Sequence, residues 1–440
     1  MTTHVFVIGL DDFHLGQLQT IRDAGNYTFH GLLPYDMVVN PESYPIEKMI
    51  EEGRRELAGA GVPVDAIIGH WDFPTTALLA VFRQEYGLPG PGLAATLIAD
   101  HKYWSRLRQQ QVIPEHIPAF QSLDPFAPDA EDHVELDYPF WIKPVIGFSS
   151  QLVYRVADSR ELHHALEGLR QGIRRFGEPF AHLMGLTEIP ADIPREIDAH
   201  YCILEKPIDG WQCTLEGYIQ GGEVVVYGTV DSIREGPLRS SLTRYEFPSD
   251  LPEPVIERMV DITGRVIPVL GLDDTPFNVE YFWDQDSDRI WLLEVNTRIS
   301  KSHCPLFTDV VGASHHEVAV DVALGRKPDF FRREGEHPAA TKFMLRRFED
   351  GIVTRVPTDA ELAALESEFP GSRIQVDVEL GDRLSELRGH EVYSYEVAVI
   401  FMGGSNHEEL EARYRALLEK LPLEFSPPPG PQAAEKGAHP

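Results

Sequence analysis

The sequence predicts a chain of mixed class, an α/β part followed by α+β parts, on three observations. Short apolar runs alternate with helical stretches over residues 1–95. From about residue 138, runs rich in aromatic and β-branched residues follow one another across short turns. A length of 440 residues exceeds what one hydrophobic core usually organises, so several domains are expected.

Residues 1–95 are predicted to form a small doubly wound α/β domain. Its strand candidates are residues 4–10, 29–33 and 66–69, and a helix is expected over residues 45–60. Short apolar runs that end in glycine or acidic residues are typical of buried parallel strands. The Pro/Gly-rich segment 88–93 marks the end of this domain.

A larger domain over residues 96–335 and a C-terminal α+β domain over residues 336–425 are predicted next, followed by a disordered tail. In the larger domain, residues 138–210 form a small lobe. Antiparallel strands are expected because the apolar runs are separated only by short turns. The tail, residues 426–440, is rich in Pro, Gly and Ala. The predicted strands of both domains lie at 140–145, 152–156, 201–208, 214–219, 223–230, 341–348 and 391–404, and the helices at 254–270 and 407–421.

Composition limits the function classes. The chain has 39 Lys and Arg against 70 Asp and Glu, a net charge of −31 at pH 7, which argues against nucleic acid or an anionic membrane as partner. Its three cysteines lack the spacing of a zinc site or a disulfide framework. The sequence contains no apolar run of about 18 residues and begins without a basic leader, so a cytoplasmic location is expected.

An acidic hairpin carries the clearest functional pattern. The runs FNVEYFW (277–283) and IWLLEVNTR (290–298) flank a polar turn. Because side chains alternate along a strand, Glu294 and Asn296 share a face, and Glu280 joins them if the register suits. Two carboxylates and an amide oxygen suit Mg²⁺, which also takes ligands from phosphates. The alternative is a structural network in which the carboxylates pair with arginines such as Arg298.

Glu280 together with Glu294-Val295-Asn296-Thr297-Arg298 resembles the metal-binding signature of the ATP-grasp superfamily. With the matches described next, the resemblance spans roughly residues 1–425 in domain order. It implies an ATP-grasp fold, with an N-terminal α/β domain, a two-lobed ATP-binding region and a small C-terminal domain. It also implies ATP as ligand, with Mg²⁺, or alternatively Mn²⁺, held by Glu280, Glu294 and Asn296.

The nucleotide contacts are implied by the same resemblance. Lys143 lies near a strand end before a turn with one glycine and two serines, where the family has a glycine-rich phosphate loop. A second lysine of the family matches Lys102 at the start of a helix. Taken alone, either could be an ordinary surface lysine. The segment 200–219 resembles the strand and hinge that hold adenine. The full implied ATP-binding set is Lys102, Lys143, Ser149, Ser150, Glu205, Lys206, Ile208 and Glu216.

The preferred function is a carboxylate–amine ligase that forms an amide or peptide bond through an acyl phosphate, similar to the L-amino-acid ligases. Arg298 would act beside the acyl phosphate with Lys143, and Arg298 and Arg346 (or Arg347) would bind substrate. The partners would be a small acid and a small amine, and a homodimer is compatible with this layout.

Two alternatives stay open. The stretch NTRISKSH (296–303) resembles biotin carboxylase, although Ser302 stands where that enzyme has its catalytic glutamate. The chain could also be a nucleotide-binding protein without catalytic activity.

Overall fold

The computed structural model describes residues 2–428 apart from 40, 149–150, 237–238, 240, 331 and 388–392. These residues form seventeen strands and thirteen α-helices. The strands are β1 (Thr3–Ile8), β2 (Tyr27–Leu32), β3 (Ala66–Ile68), β4 (Phe120–Leu123), β5 (Phe140–Pro144), β6 (Tyr154–Val156), β7 (Cys202–Glu205), β8 (Trp211–Gln220), β9 (Glu223–Glu235), β10 (Ser241–Phe247), β11 (Thr275–Asp284), β12 (Arg289–Asn296), β13 (Ala339–Arg347), β14 (Ile352–Arg355), β15 (Ser372–Val376), β16 (Tyr395–Gly404) and β17 (Glu424–Ser426). The helices are α1 (Asp12–Leu18), α2 (Tyr35–Val38), α3 (Ile46–Gly59), α4 (Thr75–Tyr86), α5 (Leu93–Asp100), α6 (Lys102–Val112), α7 (Ser159–Gly172), α8 (Arg174–Met184), α9 (Glu253–Val269), α10 (Cys304–Val311), α11 (His316–Ala323), α12 (Asp359–Glu368) and α13 (His407–Leu418).

The N-terminal part is a parallel three-stranded sheet in the order β2-β1-β3, with helices between its strands. Both faces of β1 are covered, because Val5 and Val7 pack into one apolar cluster while Phe6 and Ile8 pack into another. This burial on two sides explains why the strand is a continuous apolar run. The predicted strands and helix of this part are present, each within a few residues of its expected position.

A four-stranded antiparallel sheet in the order β4-β7-β5-β6 forms one wall of a cleft. Helix α7 covers it with Leu162, Leu166 and Leu169, which recur at the spacing of one helix face. They pack against Phe140 and Ile142 of β5, residues that alternate on one face of the strand. Asp158 caps the helix by accepting a hydrogen bond from the Glu161 N–H.

The largest sheet has eight strands, in the order β12-β11-β8-β9-β10-β13-β16-β15. Its last three strands belong to the predicted C-terminal domain, so the sheet runs across the expected boundary at residue 335. β10 and β13 join the two parts by antiparallel pairing from Arg244↔Phe343 to Phe247↔Ala340.

The chain's last described strand, β17, pairs with β14 and places Ser426 opposite Ile352. The first residue of the predicted tail is therefore ordered in a strand, and residues 429–440 lie outside the described part of the chain. Within the described residues, no helix combines the length and the apolar character needed to cross a bilayer.

Two glycines offer a paired test of this packing. A Cβ on Gly217 of β8 would lie 2.5 Å from the Phe277 ring and 2.7 Å from the Val225 carbonyl oxygen, whereas one on Gly264 of α9 would meet nothing within 4 Å. We expect Gly217→Ala to lower the free energy of unfolding by about 1–3 kcal/mol. Gly264→Ala should raise it by about 0.5–1 kcal/mol, since alanine restricts the unfolded chain. Urea unfolding followed by circular dichroism measures both changes in the free energy of unfolding. Changes of the same sign in the two variants would contradict the packing of β8 against β11.

Candidate active site

A cleft of about 520 Å³ lies between the four-stranded sheet and the β8–β11–β12 end of the large sheet. Eight cationic side chains and five carboxylates contribute to its wall, in a protein whose net charge is −31. The cations are Lys102, Lys143, Arg155, Lys206, Arg234, Arg239, Arg298 and Lys301. The carboxylates are Asp72, Glu205, Asp209, Glu280 and Glu294. The cleft is thus locally basic, which suits an anionic ligand.

The acidic hairpin has the register that its sequence pattern requires. Glu280 on β11 lies directly opposite Glu294 on β12, and a bulge follows this pair. The Gln212 side-chain amide donates to Glu280 at 3.0 Å. Burial raises the pKa of Glu280, and the charge of Glu294 raises it further. A cation between the two carboxylates would relieve this repulsion.

Lys102 bridges the hairpin and the loop after β5. It is the first residue of α6, and its Nζ lies 2.9 Å from Glu294 Oε1 and donates to the Gly147 carbonyl at 2.7 Å. Burial opposes ionisation of Glu294, but the ammonium groups of Lys102 and Lys143 outweigh it, so the pKa of Glu294 is lowered. The two facing carboxylates therefore have different affinities for a proton. Ser149 and Ser150, predicted to contact phosphates, lie outside the described residues.

Glu205 on β7 is held between two cations. Its Oε2 lies 2.7 Å from Lys143 Nζ and its Oε1 lies 2.6 Å from Arg106 Nε. Arg106 also donates to the Leu293 carbonyl at 2.7 Å, which ties the group to β12. Burial disfavours the charged carboxylate, but Arg106 and Lys143 lower its pKa to about 2. Glu205 lines the cleft, and these contacts fix the position of the Lys143 ammonium group.

The segment after β7 forms one end of the cleft. Lys206 and Ile208 both line it, as predicted for an adenine-binding hinge. The Lys206 N–H already donates to the Ala119 carbonyl at 2.9 Å. Among the described backbone groups of these two residues, the Lys206 carbonyl and the Ile208 backbone are therefore the ones left to bind the edge of an adenine base.

Three predicted site residues stand away from the cleft wall. Asn296 points its amide at Asn278 Oδ1, 2.9 Å away, and it is Asn278 that lines the cleft. The Arg346 guanidinium donates to the Leu242 carbonyl and, at 3.0 Å, to Glu396; its contact with substrate stays a prediction.

Glu216 is the third, and its nucleotide contact stays a prediction. It is fully buried, and its Oε1 lies 2.8 Å from Nδ1 of His303, a residue of the cleft wall. Burial raises the pKa of Glu216 to about 7.

Arg298 does line the cleft, where Asp72 holds it. Arg298 Nε donates to Asp72 Oδ1 at 2.7 Å, and a second guanidinium nitrogen reaches the same oxygen. Asp72 lies just beyond β3, at the carboxyl end of a parallel strand, where binding residues of such sheets gather. That position is a signal by which sequence reasoning could have found it.

Three further cleft residues, Lys301, Ser302 and His303, were not predicted as site residues. Lys301 lies with its Nζ 3.9 Å from the centroid of the Trp71 ring, and burial lowers its pKa to about 8. Ser302 accepts a hydrogen bond from Lys342 Nζ at 3.2 Å, and His303 follows it in the cleft wall. The stretch 296–303 was noted for its resemblance to biotin carboxylase, but no local signal indicated that Lys301 and His303 line the cleft.

Residues 136–305 match the protein family described as the ATP-grasp domain. This stretch runs from β5 to α10 and includes the acidic hairpin, Lys143 and Glu205. The resemblance read from the motifs is confirmed, and the chain carries an ATP-grasp domain.

Solved structures of similar fold cover nearly the whole chain. An L-amino acid ligase from Bacillus licheniformis superposes with a TM-score of 0.70 at 18% identity, covering 97% of this chain and 99% of that one. A biotin carboxylase from Campylobacter jejuni gives 0.65 at 15% identity, covering 96% and 92%. The fold is therefore the predicted ATP-grasp fold.

One similar curated protein is the uncharacterized y4rH of Sinorhizobium fredii, 24% identical over 282 residues. The alignment covers 61% of this chain and 52% of that protein, so the chain spans about half the length of this relative.

The Glu205 contacts predict an acid-sensitive stability. We expect Glu205→Gln to lower the free energy of unfolding by about 3–5 kcal/mol at pH 7, because Arg106 stays buried without its counter-charge. In the native protein the low pKa of Glu205 gives stability that is present above about pH 4.5 and is lost as the pH falls toward 2. Urea unfolding from pH 7 to pH 3 should show this loss in the native chain and a smaller one in the variant.

The matched control is Glu85→Gln, which breaks the exposed Arg54–Glu85 pair on the surface. It should change the free energy of unfolding by at most about 1 kcal/mol. Equal losses in the two variants would contradict the buried role of Glu205.

Proposed function

We propose that the chain is an ATP- and Mg²⁺-dependent ligase that joins a carboxylic acid to an amine through an acyl phosphate, on amino-acid-like substrates. One observation carries the proposal: Glu280 and Glu294 face each other across the hairpin, in a cleft whose wall also presents Lys102 and Lys143. The ATP-grasp domain match and the likeness in fold to an L-amino acid ligase support it.

The oxygen donors of the hairpin fit Mg²⁺. Two carboxylates face each other, and Asn278 and Asn296 form the next cross-strand pair on the same face of the hairpin. Among the described residues, no group of three or more His, Cys, Asp or Glu is placed to hold a metal ion. A site of two carboxylates suits an ion that takes its remaining ligands from phosphates and water, as Mg²⁺ does, and Mn²⁺ could replace it.

The chemistry would proceed in two steps. The acid's carboxylate oxygen attacks the γ-phosphorus of ATP, giving an acyl phosphate and ADP. The amine then attacks the acyl carbon, and phosphate leaves. A bound Mg²⁺ would offset the charge of the phosphates, and Lys102, Lys143 and Arg298 would hold the transferring group in a water-poor cleft.

Bicarbonate activation of the biotin carboxylase kind is a poorer fit to the cleft. Ser302 stands at the position that the motif alignment assigns to the catalytic glutamate, and its hydroxyl bonds Lys342. The cleft wall near it is cationic, with Lys301 and Arg298, and the carboxylate of Asp72 is paired with Arg298.

A substrate panel tests the proposed reaction. We expect phosphate release from ATP to depend on an L-amino acid together with a second amino acid or amine, with ADP formed and an amide product found by mass spectrometry. Release that depends on bicarbonate and biotin instead would overturn the proposal. ATP binding without turnover by any pair would favour a non-catalytic nucleotide-binding protein.

The metal assignment predicts the behaviour of Glu294→Ala. The variant should lose Mg²⁺-dependent turnover by roughly 10²-fold or more, since a charge that fixes the cation and Lys102 is removed. Its circular dichroism spectrum should match that of the native chain. Asp286→Ala, in the exposed turn of the same hairpin, is the control and should keep native turnover. Native turnover in Glu294→Ala would refute the assignment.

A further inference from the structure

A buried histidine in the cleft wall has one ring nitrogen in contact with a carboxylate and the other without a hydrogen-bond partner among the described residues. His303 is 1% exposed, and its Nδ1 lies 2.8 Å from Glu216 Oε1. Its Nε2 has no hydrogen-bond partner within the described part of the chain. The ring packs edge-on against Tyr245, another cleft residue, at 4.6 Å between centroids. A buried polar atom left without a partner is costly and points to a ligand that would satisfy it.

The network behind His303 assigns its tautomer. His315 Nε2 lies 2.9 Å from the Ser300 carbonyl, so it must donate there, and its Nδ1 is left to accept from the Tyr227 hydroxyl at 3.2 Å. A neutral His315 in this tautomer cannot donate to Glu216. When Glu216 is ionised, the hydrogen bond to its Oε1 is therefore donated by His303 Nδ1–H, and this tautomer leaves a lone pair on His303 Nε2.

The electrostatics around the ring keep it neutral. Burial lowers the pKa of His303 well below its ordinary value, and the charges of Lys342 and Arg298 lower it further. Glu216 is the carboxylate that faces the ring, and Tyr245 covers its side. A neutral imidazole backed by a carboxylate is an arrangement that can take up a proton during a reaction.

We propose that His303 accepts the proton of the attacking amine and that Glu216 is the residue that positions it. This inference rests on the function proposed above. The amine lone pair forms the new N–C bond, the C–O bond to phosphate breaks with its electron pair passing to the phosphate oxygen, and the N–H proton passes to His303 Nε2. Glu216 then faces the imidazolium, which its carboxylate stabilises.

Neighbouring groups are less suited to this task. Ser302 is bonded to Lys342, and Lys301 places its ammonium over the Trp71 ring. With a pKa of about 8, Lys301 stays mostly protonated at neutral pH and is better suited to hold an anionic part of the acid.

The test separates the two half-reactions. His303→Asn keeps an amide near the Nδ1 position to bond Glu216 but removes the Nε2 lone pair. The assay uses the amino-acid pair with the highest rate in the panel, and in parallel hydroxylamine replaces the amine. Hydroxylamine is largely unprotonated at neutral pH and traps acyl phosphates as hydroxamates without a base. We expect amide formation to fall roughly 10²-fold more than hydroxamate formation in His303→Asn. Raising the pH should recover amide formation in the variant more than in the native enzyme.

The controls distinguish base loss from structural damage. His14→Asn alters a second buried histidine–carboxylate pair, 2.7 Å from Asp11, that does not line the cleft, and should change both rates equally little. Glu216→Gln keeps the shape of the His303–Glu216 pair and should shift the ratio of amide to hydroxamate formation in the same direction as His303→Asn. This second variant provides the test if His303→Asn fails to fold.

Each remaining outcome overturns a specific claim. Equal loss of both products in His303→Asn and Glu216→Gln, or loss of neither, would overturn the role of His303. A selective loss of amide in Lys301→Met but not in His303→Asn would transfer the role to Lys301. If the native enzyme makes neither product with any acid, the proposed function fails, and this inference fails with it.

Discussion

The site depends on two carboxylates that the hairpin register forces to face each other. Glu280 and Glu294 are a direct cross-strand pair, so their charges cannot move apart without breaking the sheet. The two carboxylates have different partners: Glu294 pairs with Lys102 at 2.9 Å, whereas Glu280 accepts a hydrogen bond from the neutral amide of Gln212, and the charges of Arg234 and Arg298 favour its ionised form. The result is a pair with a net negative charge at one end of an otherwise basic cleft. Such a pair is a better ligand for a divalent cation than for a proton, because the cation is attracted to both members at once.

The cations of the cleft are positioned by carboxylates from distant parts of the chain. Lys143 is held by Glu205 on a neighbouring strand, and Arg298 is held by Asp72 beyond the N-terminal sheet. Each pair fixes the direction of a long side chain and thereby lowers the entropy that a ligand would have to remove. A protein of acidic net charge can therefore present a basic cleft to an anionic ligand.

The local features of the site could be predicted from sequence, and the long-range ones could not. Strand alternation placed Glu294 and Asn296 on a shared face, Glu280 joins them through the observed register, and the helix start at Lys102 followed from its pattern. The pairing of Arg346 with Glu396 could not be foreseen, because Glu396 lies on a strand fifty residues later and no local signal reveals the contact. His303 was overlooked for the same reason, since Glu216 lies 87 residues before it and only the folded sheet brings them together. The approximate strand boundaries were correct because apolar alternation is a local property.

The sheet that crosses the predicted domain boundary determines which pieces of the protein are separable. β13 closes the open edge of β10, and β16 and β15 follow it, so residues 336–425 are joined by backbone hydrogen bonds to the sheet that carries the acidic hairpin. The four-stranded sheet, in contrast, shares no strand pairing with its neighbours within the part of the chain that the structure describes. Excising residues after 335 would leave a long strand edge exposed to intermolecular pairing and aggregation. Engineering of this scaffold by domain exchange is thus more favourable at the four-stranded lobe than at the C-terminus.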